Sequence, residues 1–300
     1  MNIFKNHPLY GVHTIDTAMN SLWTFYRNNF ARLFAVSLAM SGILHYASTF
    51  FDFASIQNET DIDALIEAMS AMVLPMLITA LVNMLFSIVM QHYIMFSPVD
   101  EDNSILVSAQ RSLKYFFPYL VTVILLSVLA AIAMVLGLIA FVIGIFFVMF
   151  YVMTVFLFIL PVMMAENTDI GQTIGRVFRL AHKNFWANYG WVAVFVLLMM
   201  MLSFILSGLA LVPFAGNFLK SIFNPSEAMA MAEIAQKPAY IILSAITGAL
   251  AVPLTPLFAA ILYFNGRARE EAEHDSVVGN ERRVTVEDLY ARPYCDDAEN

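Results

Sequence analysis

One uninterrupted apolar stretch decides the fold of this chain: residues 118–165 read PYLVTVILLSVLAAIAMVLGLIAFVIGIFFVMFYVMTVFLFILPVMMA and contain no charged residue. About 20 apolar residues are enough for one helix to cross the roughly 30 Å hydrocarbon core of a bilayer. The stretch is too long for one span and fits two, which we predict at residues 118–139 and 141–164. Gly137 and Gly144 bracket the expected turn.

The composition extends this interpretation to the rest of the chain. Of 300 residues, 60% are hydrophobic and 13% are charged, whereas soluble domains are nearer half apolar and a quarter charged. Further apolar runs predict spans at residues 33–51, 71–96, 190–212 and 239–264. We therefore predict an all-α fold, a polytopic membrane bundle of six transmembrane helices within residues 1–264. The only cysteine is Cys295, so an internal disulfide and a cysteine metal site are excluded.

The distribution of positive charge predicts the orientation. Only Lys220 and Lys237 fall on one side of the six predicted spans. The other thirteen cations fall on the opposite side: Lys5, Arg27, Arg32, Arg111, Lys114, Arg176, Arg179, Lys183, Arg267, Arg269, Arg282, Arg283 and Arg292. The positive-inside rule then places both termini of this multi-pass membrane protein in the cytoplasm.

The segment after the long apolar stretch, DIGQTIGRVFRLAHKNFW from Asp169, has the pattern of an amphipathic helix. Its apolar residues recur at helical spacing, and Arg176, Arg179 and Lys183 fall on the opposite face. Asp169 is a suitable N-cap residue. A helix with one apolar and one cationic face is typical of the membrane interface. The alternative is an ordinary cytoplasmic helix packed on the bundle.

Two earlier segments share this pattern, so that the interfacial helices are predicted at about residues 14–30, 104–117 and 169–185. In the second, Arg111 and Lys114 form the cationic face. Each segment precedes two spans. The chain is therefore predicted to consist of three units, each an interfacial amphipathic helix followed by a transmembrane hairpin.

Polar residues within the spans are the first candidate functional positions, because polar groups in hydrocarbon are costly. These are His45 toward the far end of the first span, Asn83 in the middle of the second, and His92 near its cytoplasmic end. The alternative for each is a hydrogen bond within the bundle or, for His92, a position at the interface.

Two prolines in the last span are the other candidates. Pro253 and Pro256 are expected to kink or break the helix, with the broken turn facing the bundle. The carbonyls freed around Leu250 and Val252 would need partners, and Thr255 could supply a hydroxyl. Such breaks mark binding sites in some transporters.

The last segment, residues 265–300, changes composition sharply, with five cations and ten acidic residues. We predict an acidic cytoplasmic tail that is disordered or forms one short helix. It is also the predicted docking segment for protein partners. The lipid bilayer is the other predicted partner, and no nucleic acid is expected.

A resemblance adds to these predictions. The motif Glu166-Asn-Thr-Asp-Ile, the basic helix after it, and HKNFW at the start of a span resemble a family of bacterial six-helix membrane proteins of uncharacterised function. The opening HPLYGVHTIDTA and the tail RRVTVEDLY resemble chains of Bacteroidetes-type bacteria. The family is related to the membrane domain of some glycerophosphodiester phosphodiesterases. The resemblance implies an inner-membrane protein of this topology, without the catalytic domain, and it implies no catalytic residue, cofactor or metal.

The sequence favours a non-enzymatic membrane protein, a scaffold or an assembly or envelope factor. The alternative is a transporter or channel for a small solute or lipid, with a path lined by Asn83, His45 and the last span. A membrane-embedded oxidoreductase is the remote alternative. Some similar chains are described as carotene oxygenases, but an iron site needs several histidines or carboxylates facing one pocket, and His45 and His92 lie on different spans. A cavity that reaches the middle of the bilayer would distinguish the first two classes.

Overall fold

The computed structural model describes residues 2–48, 50, 61–139, 141–166, 169–216, 234 and 237–281. These residues form α-helices and short 3-10 turns, and they contain no strand. The helices are α1 (Ile15–Asn28), α2 (Phe30–Ser48), α3 (Ile62–Phe96), α4 (Ile105–Ser112), α5 (Phe116–Ile139), α6 (Phe141–Glu166), α7 (Ile170–Lys183), α8 (Phe185–Leu211), α9 (Pro238–Ala251) and α10 (Leu254–Glu281).

Six segments of the described residues are long and apolar enough to cross a membrane. They are α2, α3, α4 continued by α5, α6, α8, and α9 continued by α10. The all-α bundle of six candidate transmembrane helices is therefore confirmed. The second span is longer than predicted, because α3 begins at Ile62 rather than at residue 71.

The hairpin of α5 and α6 shows why the long apolar stretch folds into two helices. A Cβ atom on Gly137 would lie 3.0 Å from the carbonyl oxygen of Gly144. Because glycine has no side chain at this point, the two backbones approach closely beside the turn.

The last span is interrupted where the prolines stand. α9 ends at Ala251 and α10 begins at Leu254, since Pro253 has no N–H to continue the helical ladder. The two halves pack against different neighbours: α9 lies against α2 and α8, whereas α10 lies against α1, α3 and α6. The interruption thus lets one span contact two sets of helices.

The core is concentrated at one end of the bundle. Its largest fully buried side chains include Phe158 of α6, Ile94 of α3, and Phe258 and Phe264 of α10. The other halves of several helices expose large apolar side chains, among them Leu77, Leu136, Leu197 and Ile205. Such surfaces are suited to hydrocarbon, where an exposed apolar side chain has no hydration cost.

The predicted boundary at residue 265 is not a structural boundary. α10 continues to Glu281, and its turns just after residue 264 are docked rather than solvated. The backbone N–H of His13 donates to Asn265 Oδ1 at 2.9 Å. Ion pairs join Lys5 to Glu271 at 2.9 Å and Lys183 to Glu273 at 2.7 Å. Of the two alternatives predicted for the tail, residues 265–281 are helical rather than disordered, as a continuation of the last span. Residues 282–300 lie outside the described part.

Candidate functional site

A cavity of about 370 Å³ lies beside the interruption of the last span. Its walls come from α2, α3, α5, α6 and the α9–α10 segment. Three of the sequence-predicted positions, Asn83, Thr255 and Pro256, line it together. Pro253 is buried beside it, while His45 and His92 are not among its lining residues. The structure thus brings the middle of the second span to the broken turn of the sixth.

Gln91 also lines this cavity and adds a polar side chain to it. It was not among the candidate positions predicted from the sequence. Its side chain is 1% exposed, and its Nε2 has no hydrogen-bond partner among the described residues. Met90, Leu157 and Leu160, which also line the cavity, offer no acceptor. An unpaired buried donor costs on the order of 1–3 kcal/mol, so this amide is suited to a ligand that brings an acceptor oxygen. The only signal in the sequence was a glutamine near the end of an apolar helix.

Two further cavities continue along the interrupted span. One of about 380 Å³, between α6, α8 and α10, shares Met153 and Thr255 with the first. Another of about 170 Å³, between α2, α8 and α9, shares Ser203 and Ser207 with the second. The three cavities therefore form a series that follows α10 and then α9.

His45 lines the smallest of these cavities. Its Nδ1 lies 2.8 Å from the carbonyl oxygen of Ser41. A carbonyl only accepts, so Nδ1 carries the proton and Nε2 is left as an acceptor. α2 and α9 touch here, because a Cβ on Gly248 would lie 2.9 Å from Ser41 Oγ. His45 is thus part of a tight helix contact as well as a cavity wall.

His92 lies apart from these cavities. It is buried and stacks on Phe96, with ring centroids 4.5 Å apart. The structure does not bring it together with His45. Within the described ranges no group of three or more His, Cys, Asp or Glu side chains is placed to hold a metal ion.

The predicted cationic faces are less solvated than their spacing indicated. Arg111 pairs with Asp100 at 2.6 Å, and Lys114 lies over the ring of Tyr115 at 4.8 Å. Lys183 pairs with Glu273, whereas Arg179 is exposed. The prediction that Arg176 belongs to the outer cationic face of its helix was wrong, because it is 8% exposed and pairs with Glu166 and Glu270.

Arg176 is the centre of a buried ion cluster with Glu166, Glu270 and Arg267. Its Nε donates to both carboxylate oxygens of Glu166 at 3.0 Å, and its Nη1 donates to Glu270 at 2.9 Å. Arg267 Nη1 donates to Glu270 at 3.2 Å. The Tyr263 hydroxyl donates to Glu166 at 3.1 Å.

Burial alone would lower the pKa of Arg176, but the hydrogen bonds and charges of Glu270 and Glu166 outweigh burial and raise its pKa above the ordinary arginine value. The cluster holds α6, α7 and α10 together at the packed end of the bundle. Because every charge in it faces an opposite charge, its chemistry is that of a structural clamp.

His7 is a second buried polar group that the sequence did not indicate. Leu9 N–H donates to His7 Nδ1 at 3.1 Å, so Nε2 carries the proton and donates to the carbonyl of Ile94 at 3.0 Å. Burial lowers the pKa of His7 to about 4, although the hydrogen bond to Ile94 partly opposes this. The ring is therefore neutral at pH 7 and fixes the N-terminal segment to the end of α3.

Together the fold and the cavities define the class: a six-span helical membrane protein with an internal series of cavities along a broken last span. No family model matches the chain, and neither a curated protein nor a solved structure matches it. The resemblance to the bacterial six-helix family therefore stays a prediction.

Proposed function

We propose that this protein is a non-enzymatic integral membrane protein that binds an amphiphilic molecule, a lipid or a lipid-like solute, in the cavity beside the broken span. The observation that carries the proposal is the buried amide of Gln91, whose Nε2 has no partner among the described residues and lines an otherwise largely apolar cavity. Binding sites for small molecules commonly combine an apolar wall with a few polar groups that fix orientation.

The lining fits both parts of an amphiphile. Met40, Met153 and Phe156 offer apolar surface for a hydrocarbon chain. Asn83 and Gln91 offer amides for a carbonyl, carboxylate or hydroxyl oxygen. Asn83 is exposed although it lines the cavity. The cavity therefore opens to the outside of the bundle at mid-span, a place suited to lateral entry from the bilayer.

Transport of the same amphiphile is the second candidate function. It is favoured by the series of three cavities, which share lining residues and pass from α10 to α9. Thr255 links the first cavity to the second, and Ser203 and Ser207 link the second to that of His45. A path of this kind would use the broken span as its wall. The described residues offer no comparable observation in favour of a scaffold or assembly role that acts through the tail.

The proposed setting is the bacterial inner membrane, with both termini in the cytoplasm and α1, α4 and α7 at the interface. Large exposed apolar side chains on or beside these helices support lipid contact at that level: Trp23 is 56% exposed, Leu106 82% and Trp186 74%. Tryptophan is typical of the boundary between headgroups and hydrocarbon.

Photolabelling with a diazirine-bearing fatty acid tests the proposal. The protein is labelled in nanodiscs, and the modified peptides are mapped by mass spectrometry. We expect labelling of the cavity walls near Asn83, Tyr119 and Phe156. Gln91→Leu should reduce that labelling about tenfold, because it removes a hydrogen bond to a charged carboxylate.

The matched control is Gln110→Leu, which makes the same change at an exposed position of α4 and should leave the cavity labelling unchanged. Labelling confined to the exposed apolar belt, or an equal loss in both variants, would contradict the proposal. The transport candidate requires in addition that the labelled molecule crosses proteoliposomes faster with the wild-type protein than with Gln91→Leu.

A further inference from the structure

A separate cavity, of about 530 Å³, lies at the packed end of the bundle, away from the last span. It is open to the surface and is lined by α1, the start of α2, the N-terminal residues Pro8 and Leu9, and Ser97 and Pro98 after α3. It shares no lining residue with the cavities beside the broken span. Its occupant is therefore independent of the proposed function.

The lining of this cavity is rich in hydrogen-bond donors and contains one cation. α1 contributes amides and hydroxyls that recur along one face, namely Asn20, Ser21, Thr24 and Asn28. Ser97 lies on the opposite wall, Arg32 supplies the positive charge, and none of the lining residues is acidic. Hydroxyls and amides donate hydrogen bonds, and the guanidinium offers a fork of five donors. The chemistry of the lining is that of an oxyanion site.

Arg32 is available to such a ligand. In the described part of the chain no ion pair or hydrogen bond joins its guanidinium to another residue. The contrast is with Arg111 and Arg176, which are each neutralised by carboxylates. A guanidinium without a carboxylate partner, surrounded by neutral donors, is suited to bidentate binding of phosphate oxygens.

Two exposed aromatic side chains place this cavity near lipid. Trp23 lies beside Thr24 on α1, and Phe30 lies two residues before Arg32. Apolar rings that flank a cationic polar cavity are typical of the headgroup level of a bilayer. We propose that this cavity binds a phosphate group through Arg32, Asn28 and Ser97. An anionic phospholipid headgroup and free phosphate can each supply that group.

The experiment has one arm for each source. In the first, native mass spectrometry measures binding of phosphatidylglycerol to the protein in a neutral detergent. In the second, calorimetry measures binding of inorganic phosphate in the same detergent. If the ligand is the lipid headgroup, Arg32→Gln should weaken binding of phosphatidylglycerol about tenfold or more; if it is free phosphate, the substitution should weaken binding of inorganic phosphate by the same factor. Arg32→Lys, which keeps the charge but loses the fork, should fall between wild type and Arg32→Gln.

The matched control is Arg27→Gln, an arginine near the end of α1 that is exposed, as Arg32 at the start of α2 is, but does not line the cavity. It removes the same charge and should change binding less than about threefold, since its loss affects only the general surface field. Thermal unfolding without ligand verifies that all variants fold. Equal losses for Arg27→Gln and Arg32→Gln would reduce the effect to general surface charge and overturn the proposal. Wild-type protein that binds neither probe, or Arg32→Gln that binds both as wild type does, would overturn it as well.

Discussion

At the scale of single residues, Arg176 joins three helices at the packed end. It donates to Glu166 and Glu270, which come from two different helices. Replacing it with methionine would leave two carboxylates buried together with only Arg267 to balance them. Removing one partner of a buried ion pair costs on the order of 3–5 kcal/mol.

We therefore predict that Arg176→Met lowers the free energy of unfolding by roughly 3 kcal/mol or more. Chemical or thermal unfolding in a neutral detergent measures this without any lipid charge. Arg179→Met, an exposed change on the same helix, should cost less than about 0.5 kcal/mol. Equal effects of the two substitutions would show that the cluster does not stabilise the fold.

His7 gives the stability of the protein a dependence on acid pH. Its pKa is lowered from 6.5 to about 4 in the folded protein, so the unfolded chain binds more protons between these values. The contribution is present above about pH 6.5 and is lost as pH falls toward 4. We predict that the loss between pH 7 and pH 5 is smaller in His7→Gln than in wild type by about 2 kcal/mol.

Unfolding measured at several pH values checks the His7 prediction. His274→Gln, a change of an exposed histidine on α10, serves as the control and should keep the wild-type pH profile. The same profile in wild type and His7→Gln would assign the pH dependence to other groups.

Arg176 and His7 also show what could not be predicted from the sequence at the scale of single residues. Helical spacing predicted Arg176 opposite the apolar face of its segment, but Arg176 is buried on the same side of the helix as Val177 and Leu180. Spacing does not reveal which carboxylates approach that face, and the partners lie 10 and 94 residues away in the chain. The partner of His7 is a backbone carbonyl 87 residues away. Asn83, Thr255 and Pro256 could be found, because a polar or helix-breaking residue in an apolar span is visible without knowing its neighbours.

At the scale of elements, the break between α9 and α10 determines the shape of the proposed site. The carbonyl of Leu250, left without its usual helical donor, accepts from the hydroxyl of Tyr26 at 3.0 Å. The partner is thus a tyrosine of α1 and not Thr255, whose side chain lines the neighbouring cavities. A buried carbonyl in a membrane protein needs such a partner, and it joins the first short helix to the last span.

We predict that Pro253→Ala combined with Pro256→Ala reduces fatty-acid labelling of the cavity several-fold. Both substitutions restore backbone donors and favour a continuous helix. We expect a continuous helix to disturb the packing of α9 against α2 and α8 or that of α10 against α3 and α6. Stability should fall too, by about 1–3 kcal/mol, because core contacts are lost.

Pro75→Ala provides the comparison for the two prolines, since α3 runs through Pro75 without interruption. It should alter labelling little. Unchanged labelling and unchanged stability in the double variant would mean that the break has no part in shaping the cavity.

The elements themselves were largely predictable, because hydropathy reports burial in hydrocarbon directly. The apolar runs coincide with the long helices, and the predicted N-cap Asp169 accepts from the backbone N–H of Gln172 at 2.8 Å. The docked part of α10 was missed for a physical reason. A charged segment has the same composition whether its charges face water or face opposite charges such as Lys5 and Lys183.

At the scale of the whole molecule, packing is asymmetric. The N-terminal segment, α1, α7 and the extension of α10 gather at one end, where hydrogen bonds and ion pairs link residues far apart in sequence. Among the described residues, the other end is composed mainly of apolar helix surface. We expect the end that is held by polar contacts to be rigid. The spans at the other end should be more mobile, because regions with few buried contacts open most easily.

The orientation of this asymmetric molecule can be tested by cysteine labelling. The cation distribution predicts that the packed end faces the cytoplasm. In a Cys295→Ser background, cysteines at four exposed positions report the two sides: Asp63 and Lys237 at the lipid-facing end, Asp102 and Ser276 at the packed end. A membrane-impermeant maleimide applied to intact cells whose outer membrane has been made permeable should modify only the first pair. After lysis, all four should react, which verifies that each thiol is accessible. Labelling of the cysteine at Asp102 or Ser276 in intact cells would contradict the predicted orientation and place the packed end, with the cavity of Arg32, on the outer side of the membrane.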